Sequence, residues 1–211
     1  MKENKTPSCV DCSIKACDGR EKNYPSFCLT AKMNKEFEKK VLEIYGEDEN
    51  QRAMQAAAMV EYEGYLTRTR MEEIVEFAGK IEAKKIGIAT CVGLIKEAGI
   101  AGKILRSHGF EVFGVACKVG AVEKTKVGID PICNQIGTSM CNPIMQAKIL
   151  AEEGTDLNLV VGLCVGHDSL FYKYSQALTT TLITKDRVLG HNPAAALYTA
   201  DTYYHKLYGE D

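Results

Sequence analysis

The stretch that decides the fold is residues 85–94, which read KIGIATCVGL. The five residues after Lys85 carry no charge and are mostly apolar, which is typical of a short strand buried on both faces. A cysteine and a glycine follow directly, and a helical pattern then covers 94–108, with Gly109 placed where helices commonly end. A buried strand that passes at once into a helix indicates the start of a parallel α/β arrangement.

The same alternation continues along the chain. Strand patterns are predicted over 111–116, 157–163 and 178–183, and helical patterns over 143–153 and 168–174. We therefore predict an α/β fold with an open, mostly parallel sheet of four to five strands flanked by helices, joined by right-handed crossovers. The predicted organisation is a cysteine-rich irregular segment (1–29), a helical region that packs on the core (30–84) and an α/β core (85–211).

Charge and hydropathy exclude several classes of protein. The 211 residues include 26 Lys and Arg against 28 Asp and Glu, and this balance argues against a nucleic-acid-binding protein. No apolar run reaches the roughly 18 residues of a membrane span. The first twenty residues are polar and contain cysteine, so they do not read as a secretory signal, and we expect a cytoplasmic location.

Nine cysteines are the abnormal feature of the composition. An odd number cannot pair completely, and thiols stay reduced in the cytoplasm, so a disulfide scaffold is disfavoured. The remaining interpretations are small core residues, reactive thiols and metal ligands.

Three of the predicted strands end in a cysteine, and a glycine follows each of these cysteines within three residues. Carboxyl ends of parallel strands share one edge of a sheet, where open α/β folds bind ligands. Helices that begin there lower the pKa of a thiol and favour anions, and glycine lets the backbone approach a ligand. Core packing is the alternative interpretation. The strand-end cysteines are Cys91, Cys117 and Cys164, and the glycines are Gly93, Gly120 and Gly166.

The connection between the second and third strands adds Cys133 and Cys141, which we expect to complete or flank the ligand set. His167 follows Cys164 closely and is a candidate ligand or proton donor. Cysteines drawn from separate strand ends suit a polynuclear anionic cluster, so we predict an iron–sulfur cluster at this edge, with zinc as the alternative.

The first segment carries Cys9, Cys12, Cys17 and Cys28, a complete four-thiolate set. The Cys-x2-Cys pair is a common chelating turn. A second such pair, usual in zinc ribbons, is absent, and the spacing departs from that of bacterial ferredoxins. The segment therefore indicates a metal site and leaves zinc and iron–sulfur open, with redox-labile surface thiols as the other interpretation.

Four strings of the sequence resemble one known family. They are the spacing Cys-x2-Cys-x4-Cys-x10-Cys, GIATCVGL (87–94), CNPIMQA (141–147) and GLCVGHDSLF (162–171). The family is a domain-of-unknown-function family of cysteine-rich proteins, mainly from anaerobic bacteria and archaea and commonly labelled metal-binding. The resemblance covers nearly the whole chain. It implies metal binding in an anaerobic cytoplasm, and it implies no particular activity.

Three functional hypotheses remain. The first is an iron–sulfur protein with a redox or sulfur-transfer role, served by a redox partner protein or a small sulfur-containing substrate. The second is a zinc protein with a structural or regulatory role and no catalysis. The third is a metal-free thiol or persulfide transferase, for which we expect one dominant reactive thiol at Cys164 or Cys91.

Overall fold

The computed structural model describes residues 7–19 and 22–209. The chain divides into two compact units, one up to Ala57 and one from Ala58 onwards. Within residues 7–19 and 22–33 the first unit has only two short 3-10 turns, Cys9–Asp11 and Ala16–Asp18, so the expected irregular segment is confirmed. The predicted divisions near residues 29 and 84 stay predictions.

The second unit is built on one parallel sheet. Its strands are β1 (Lys85–Thr90), β2 (Glu111–Ala116), β3 (Leu157–Val161) and β4 (Leu178–Ile183), in the order β2-β1-β3-β4. The predicted α/β class with an open parallel sheet is confirmed. The chain leaves β1 to one side for β2 and returns to the other side for β3, so the order reverses between β1 and β3. Such a switch point opens a crevice at the carboxyl ends of the strands.

The third predicted strand is two residues too long. β3 ends at Val161 because Gly162 adopts φ +63°. A Cβ at Gly162 would lie 1.9 Å from Leu94 Cδ1, so a glycine is required where this turn meets the segment after β1.

Helices cover both faces of the sheet. The helices of the chain are α1 (Lys35–Tyr45), α2 (Asp48–Gly64), α3 (Arg70–Lys80), α4 (Ile95–Ser107), α5 (Pro143–Glu152), α6 (His167–Tyr174) and α7 (Ala194–Tyr198). On one face, Ile74 of α3 and Leu105 of α4 pack with Ile86 and Leu159. On the other face, residues of α5 and α6 pack with Ala89, Val115 and Val160. In the part of the chain that is described, no helix has both the length and the apolar character needed to cross a membrane.

Local chemistry explains where the key helices begin. Thr69 and Glu72 form a capping box at the start of α3. Asn142 caps α5 by accepting a hydrogen bond from the Met145 amide, and Pro143 occupies the first turn. The start of α5 is thereby fixed directly after Cys141, at the carboxyl edge of the sheet.

Candidate metal centre at the carboxyl edge

Main-chain hydrogen bonds bring the strand-end cysteines together. The amide of Cys91 donates to the Val161 carbonyl (3.1 Å), and that of Cys117 donates to the Thr90 carbonyl (2.8 Å). The amide of Asn142 donates to the Cys117 carbonyl (2.7 Å), which places Cys141 beside Cys117. Residues far apart in the chain are thus joined at the ends of β1, β2 and β3.

The side chains of this edge form a connected network. Cys117 Sγ accepts from the Val92 amide (3.4 Å), and its thiol hydrogen-bonds to Cys141. Cys141 in turn interacts with His167, and His167 interacts with Cys164. Arg187 ends the chain of contacts, because its Nη2 donates to Cys164 Sγ over 2.9 Å.

The network polarises its thiols. Hydrogen bonds from Cys117 and then from His167 hold the pKa of the Cys141 thiol well below its usual value. The pKa of Cys117 is raised, first because it shares a proton with Cys141 and then because it is buried. Interaction with Cys141 raises the pKa of the His167 imidazole. The interaction between Cys141 and His167 therefore favours the thiolate form of the one and the imidazolium form of the other.

His167 is the first residue of α6 and is half-buried. Its Nδ1 is buried and has no hydrogen-bond partner among the described residues. Native proteins rarely leave a buried polar atom unpaired, so this nitrogen is an unsatisfied polar atom on the residue that interacts with Cys141 and Cys164.

The four cysteines of the network differ in burial. Cys91 is 8% exposed and Cys117 2%, and both belong to the apolar cluster that contains Phe171 and Leu163. Cys141 also packs against this cluster, and both Cys141 and Cys164 are partly exposed. The inner part of the site is dry and its outer part, at Cys164, meets solvent.

The Cys133 thiol makes no hydrogen bond to the other four cysteines in the described part of the chain. Cys133 is on the 3-10 turn Pro131–Ile136, where its amide donates to Asp130 (3.0 Å) and its carbonyl accepts from the buried Lys124 ammonium. No contact of its thiol with the network is present within residues 7–19 and 22–209. Its expected part in the ligand set stays a prediction.

Two of the three predicted glycines have a plain backbone reason. Gly120 and Gly166 adopt φ +81° and +83°. Gly93 is different, because a Cβ there would lie 3.8 Å from both Cys91 Sγ and Lys185 Nζ. The Lys185 ammonium and the Cys91 sulfur therefore both border Gly93 and lie within about 7.6 Å of each other.

Sequence reasoning missed the cations of this site, Lys118, Lys185 and Arg187. Lys118 donates to the Ser139 carbonyl (2.5 Å), and its charge helps to lower the pKa of Cys141. Lys185 and Arg187 lie in the loop after β4. The one available signal was that β4 ends at the same edge as β1 and β3.

The first unit holds a second cysteine cluster. All four of its predicted ligands, Cys9, Cys12, Cys17 and Cys28, line one cavity of about 120 Å³. Main-chain N–H groups, that of Ala31 foremost, lower the pKa of Cys28. As the described side chains stand, no three Cys, His, Asp or Glu residues in either unit are close enough to ligate a single ion.

Comparison with known proteins identifies similar chains. A family described as "protein of unknown function (DUF1847)" matches residues 28–182. An uncharacterised protein of the archaeon Methanocaldococcus jannaschii is 51% identical over 180 residues, which cover 85% of this chain and 92% of that protein.

Proposed function

We propose that this chain, which belongs to the DUF1847 family of proteins of unknown function, holds an iron–sulfur cluster at the carboxyl edge of its sheet. The ligands would be the thiolates of Cys91, Cys117, Cys141 and Cys164, with His167 beside them. The observation that carries the proposal is that Cys117, Cys141, His167 and Cys164, from three separate segments of the chain, interact through their side chains, while the Cys91 amide bonds to the Val161 carbonyl at the same edge. Cysteines used only for packing have no reason to meet in this way.

The residues fit a thiolate-bound group in three respects. Sulfur is the donor that iron–sulfur clusters and zinc prefer. The Val92 amide donates to a sulfur, as protein amides do where they tune the potential of a cluster. The unpaired Nδ1 of His167 offers a further donor or acceptor at the same place.

An iron–sulfur cluster supplies one-electron transfer when bound. The chain's own residues would set its surroundings. Cys91 and Cys117 keep the inner side dry, and His167 holds a proton between Cys141 and Cys164. Because Cys164 is half-exposed, we place the approach of a redox partner protein or a small sulfur-containing substrate on its side.

The first unit would hold a second centre on Cys9, Cys12, Cys17 and Cys28. Its support is that all four thiols line one cavity. Four thiolates suit either zinc or an iron–sulfur cluster, and zinc is the alternative for the carboxyl edge as well.

Anaerobic purification of the full-length chain, followed by iron, acid-labile sulfide and zinc analysis, tests the proposal. We expect a brown protein with broad visible absorbance and with iron and sulfide in similar amounts. A colourless protein that carries stoichiometric zinc would rule out the cluster and leave the zinc alternative.

A second candidate function is favoured by the Cys141–His167 pair. A thiolate beside an imidazolium is the arrangement of thiol enzymes. Cys141 would attack a persulfide donor R–S–SH, take its outer sulfur to become Cys141–S–SH and release the thiolate R–S⁻. The lowered thiol pKa belongs to Cys141, a residue that the sequence did not single out as the dominant reactive thiol. Alkylation that stays blocked at all nine thiols until metal is removed would contradict this candidate.

A further inference from the structure

The loop after β4, residues 184–191, brings two cations to the thiols. The Arg187 guanidinium donates to Cys164 Sγ over 2.9 Å, and it also lies within electrostatic range of Cys91 and Cys141. The Lys185 ammonium and the Cys91 sulfur are each 3.8 Å from the position of a Cβ on Gly93. Arg187 therefore contacts a thiol directly, and the Lys185 ammonium from the same loop lies within about 7.6 Å of the Cys91 sulfur.

Neither cation is neutralised by a carboxylate. Across residues 7–19 and 22–209, Lys185 and Arg187 take part in no ion pair. Asp186 lies between them in sequence, but its Oδ1 accepts from the amides of Val188 (2.9 Å) and Leu189 (2.8 Å). The carboxylate of Asp186 therefore bonds to the main chain of the loop.

The loop is closed on itself and presents the two cations in a fixed way. The Asp186 amide donates to His191 Nδ1 (3.1 Å), and the His191 amide donates to the Asp186 carbonyl (2.8 Å). His191 adopts φ +67°, which is costly for a residue with a side chain. The loop does not depend on Arg187 or Lys185 for its shape.

The cations border the open side of the thiol site. Arg187 is exposed to solvent. Its neighbour Val188 is 78% exposed, and Val165, which follows Cys164, is 88% exposed. A guanidinium has five N–H donors, and the contact with Cys164 uses one of them. The remaining donors belong to an exposed side chain, and the guanidinium fork matches the geometry of a carboxylate or phosphate.

We propose that Lys185 and Arg187 recognise the anionic group of a small substrate, a carboxylate or a phosphate, and hold it beside the Cys164 thiol. The inference deepens the proposed function and rests on it only in taking this edge as the reactive centre. It requires no particular metal, because the two cations and the thiol belong to the chain itself.

Two alkylating reagents of nearly equal size test the proposal on the reduced, metal-free full-length chain. Iodoacetate is anionic and iodoacetamide neutral, and both form a sulfur–carbon bond as iodide leaves. Peptide mass spectrometry gives the alkylation rate of each thiol. The measured quantity is the iodoacetate rate divided by the iodoacetamide rate at Cys164. This ratio is then divided by the same ratio at Cys133. We expect this relative ratio to be about tenfold above one at low salt, because a cationic cleft concentrates anions.

The variant Arg187→Gln should lose most of that preference, while Arg187→Lys should keep part of it. Arg106→Gln is the matched control, since Arg106 is an exposed arginine of the same unit that bonds to the Val112 carbonyl. Use of a ratio separates recognition from thiol reactivity, because loss of thiolate stabilisation slows both reagents alike. An unchanged ratio in Arg187→Gln would overturn the proposal, as would a ratio insensitive to about 1 M salt.

The protein as isolated provides a second measurement for the case in which Cys164 is blocked by metal. Two chelators are compared, the polyanion ethylenediaminetetraacetate and the neutral phenanthroline. We expect the ratio of their metal-extraction rates, polyanion over neutral, to be higher for the natural chain than for Arg187→Gln. Equal relative rates would contradict anion recognition. Failure of the proposed function would appear separately, as absence of metal, with the alkylation ratio intact.

Discussion

Asn158 and Gly87 show how single residues set the spacing of this sheet. Asn158 is 1% exposed within β3, where its amide donates to Ser175 Oγ (2.9 Å) and its Oδ1 accepts from Thr155 (2.8 Å). A Cβ at Gly87 on the neighbouring strand would lie 2.1 Å from that Oδ1. The buried polar side chain is accommodated only because its neighbour has no side chain.

Gly87→Ala is therefore expected to destabilise the protein. The added methyl would also lie 3.0 Å from Leu150, so overpacking should lower the free energy of unfolding by about 1–3 kcal/mol in urea titrations. Gly114→Ala is the control, because a Cβ there meets nothing closer than 3.9 Å. Equal stability of the two variants would contradict the packing argument.

The Cys141–His167 pair predicts a pH dependence in the metal-free protein. The pKa of Cys141 is lowered, so its stabilising contribution is present above its ordinary value and is lost as pH falls through the lowered pKa. The pKa of His167 is raised, so its contribution is present below its ordinary value and is lost as pH rises through the raised pKa. Between these two pKa values the ion pair persists.

His167→Gln should raise the pKa of Cys141 and reduce its alkylation by iodoacetamide at about pH 6, where an ordinary thiol with a pKa of about 8.5 is protonated. In the natural chain, the rate of alkylation at Cys141 should change little between about pH 6 and about pH 8.5. His108→Gln, at the exposed end of α4, is the control. Parallel pH profiles in all three proteins would show that the imidazole does not stabilise the thiolate.

Helix α3 shows how an element is fixed by its first turn and its apolar face. Thr69 and Glu72 exchange hydrogen bonds at its start, and Ile74 and Ala78 are buried against the sheet. Arg70 adds a bond from its Nε to the Thr181 carbonyl of β4 (2.6 Å). A second bond, from Arg70 Nη2 to Thr180 Oγ1 (3.0 Å), joins the start of the helix to the same edge strand.

Loss of this cap gives a prediction at the scale of the element. Thr69→Ala should lower the free energy of unfolding by about 1 kcal/mol, the usual value of an N-cap, as measured by thermal and urea unfolding. Thr125→Ala is the control, since Thr125 is exposed on the 3-10 turn Lys124–Val127 and its hydroxyl makes no hydrogen bond in the described part of the chain. A loss of similar size in both variants would argue against capping.

The elements were predictable from sequence where local pattern decides. Apolar runs with glycine breaks gave all four strands, and only Gly162 shortened one of them. The rule that parallel strands end together placed Cys91, Cys117 and Cys164 at one edge, because that outcome follows from topology. The hydrogen bond from Asn142 that brings Cys141 in has no such local signal.

Other parts of the site could not be predicted, for a physical reason. Cys133 and Cys141 looked alike in sequence, yet the turn that carries Cys133 is held by Lys124 and Asp130, away from the network. The direction of Lys185 and Arg187 depends on a loop whose shape is set by Asp186 and His191. Side-chain direction in such a loop is not encoded by residue spacing.

At the scale of the whole molecule, the two cysteine clusters lie in separate compact units. The apolar clusters of the second unit contain Cys91 and Cys117 but consist mainly of aliphatic side chains from the sheet and its helices. Stability of the second unit should therefore depend little on the four thiols of the first.

Serine substitution should separate the two proposed centres. We expect Cys9→Ser with Cys12→Ser to remove the metal of the first unit and leave that of the second, with little change in the Tm of the main unfolding transition. The combined change Cys91→Ser, Cys117→Ser and Cys164→Ser should do the reverse. Metal analysis per chain and calorimetry measure both effects, and simultaneous loss of all metal from either variant would contradict two independent centres.

The parallel order of the strands also leaves an opposite rim, where Lys85, Glu111, Leu157 and Leu178 begin their strands. A strand of six residues separates the two rims by about 20 Å. A fluorophore or a surface tether attached at the Gly109 turn would therefore be remote from the thiols. A molecule immobilised in that orientation would present its sulfur-bearing side to the solution, available for direct study.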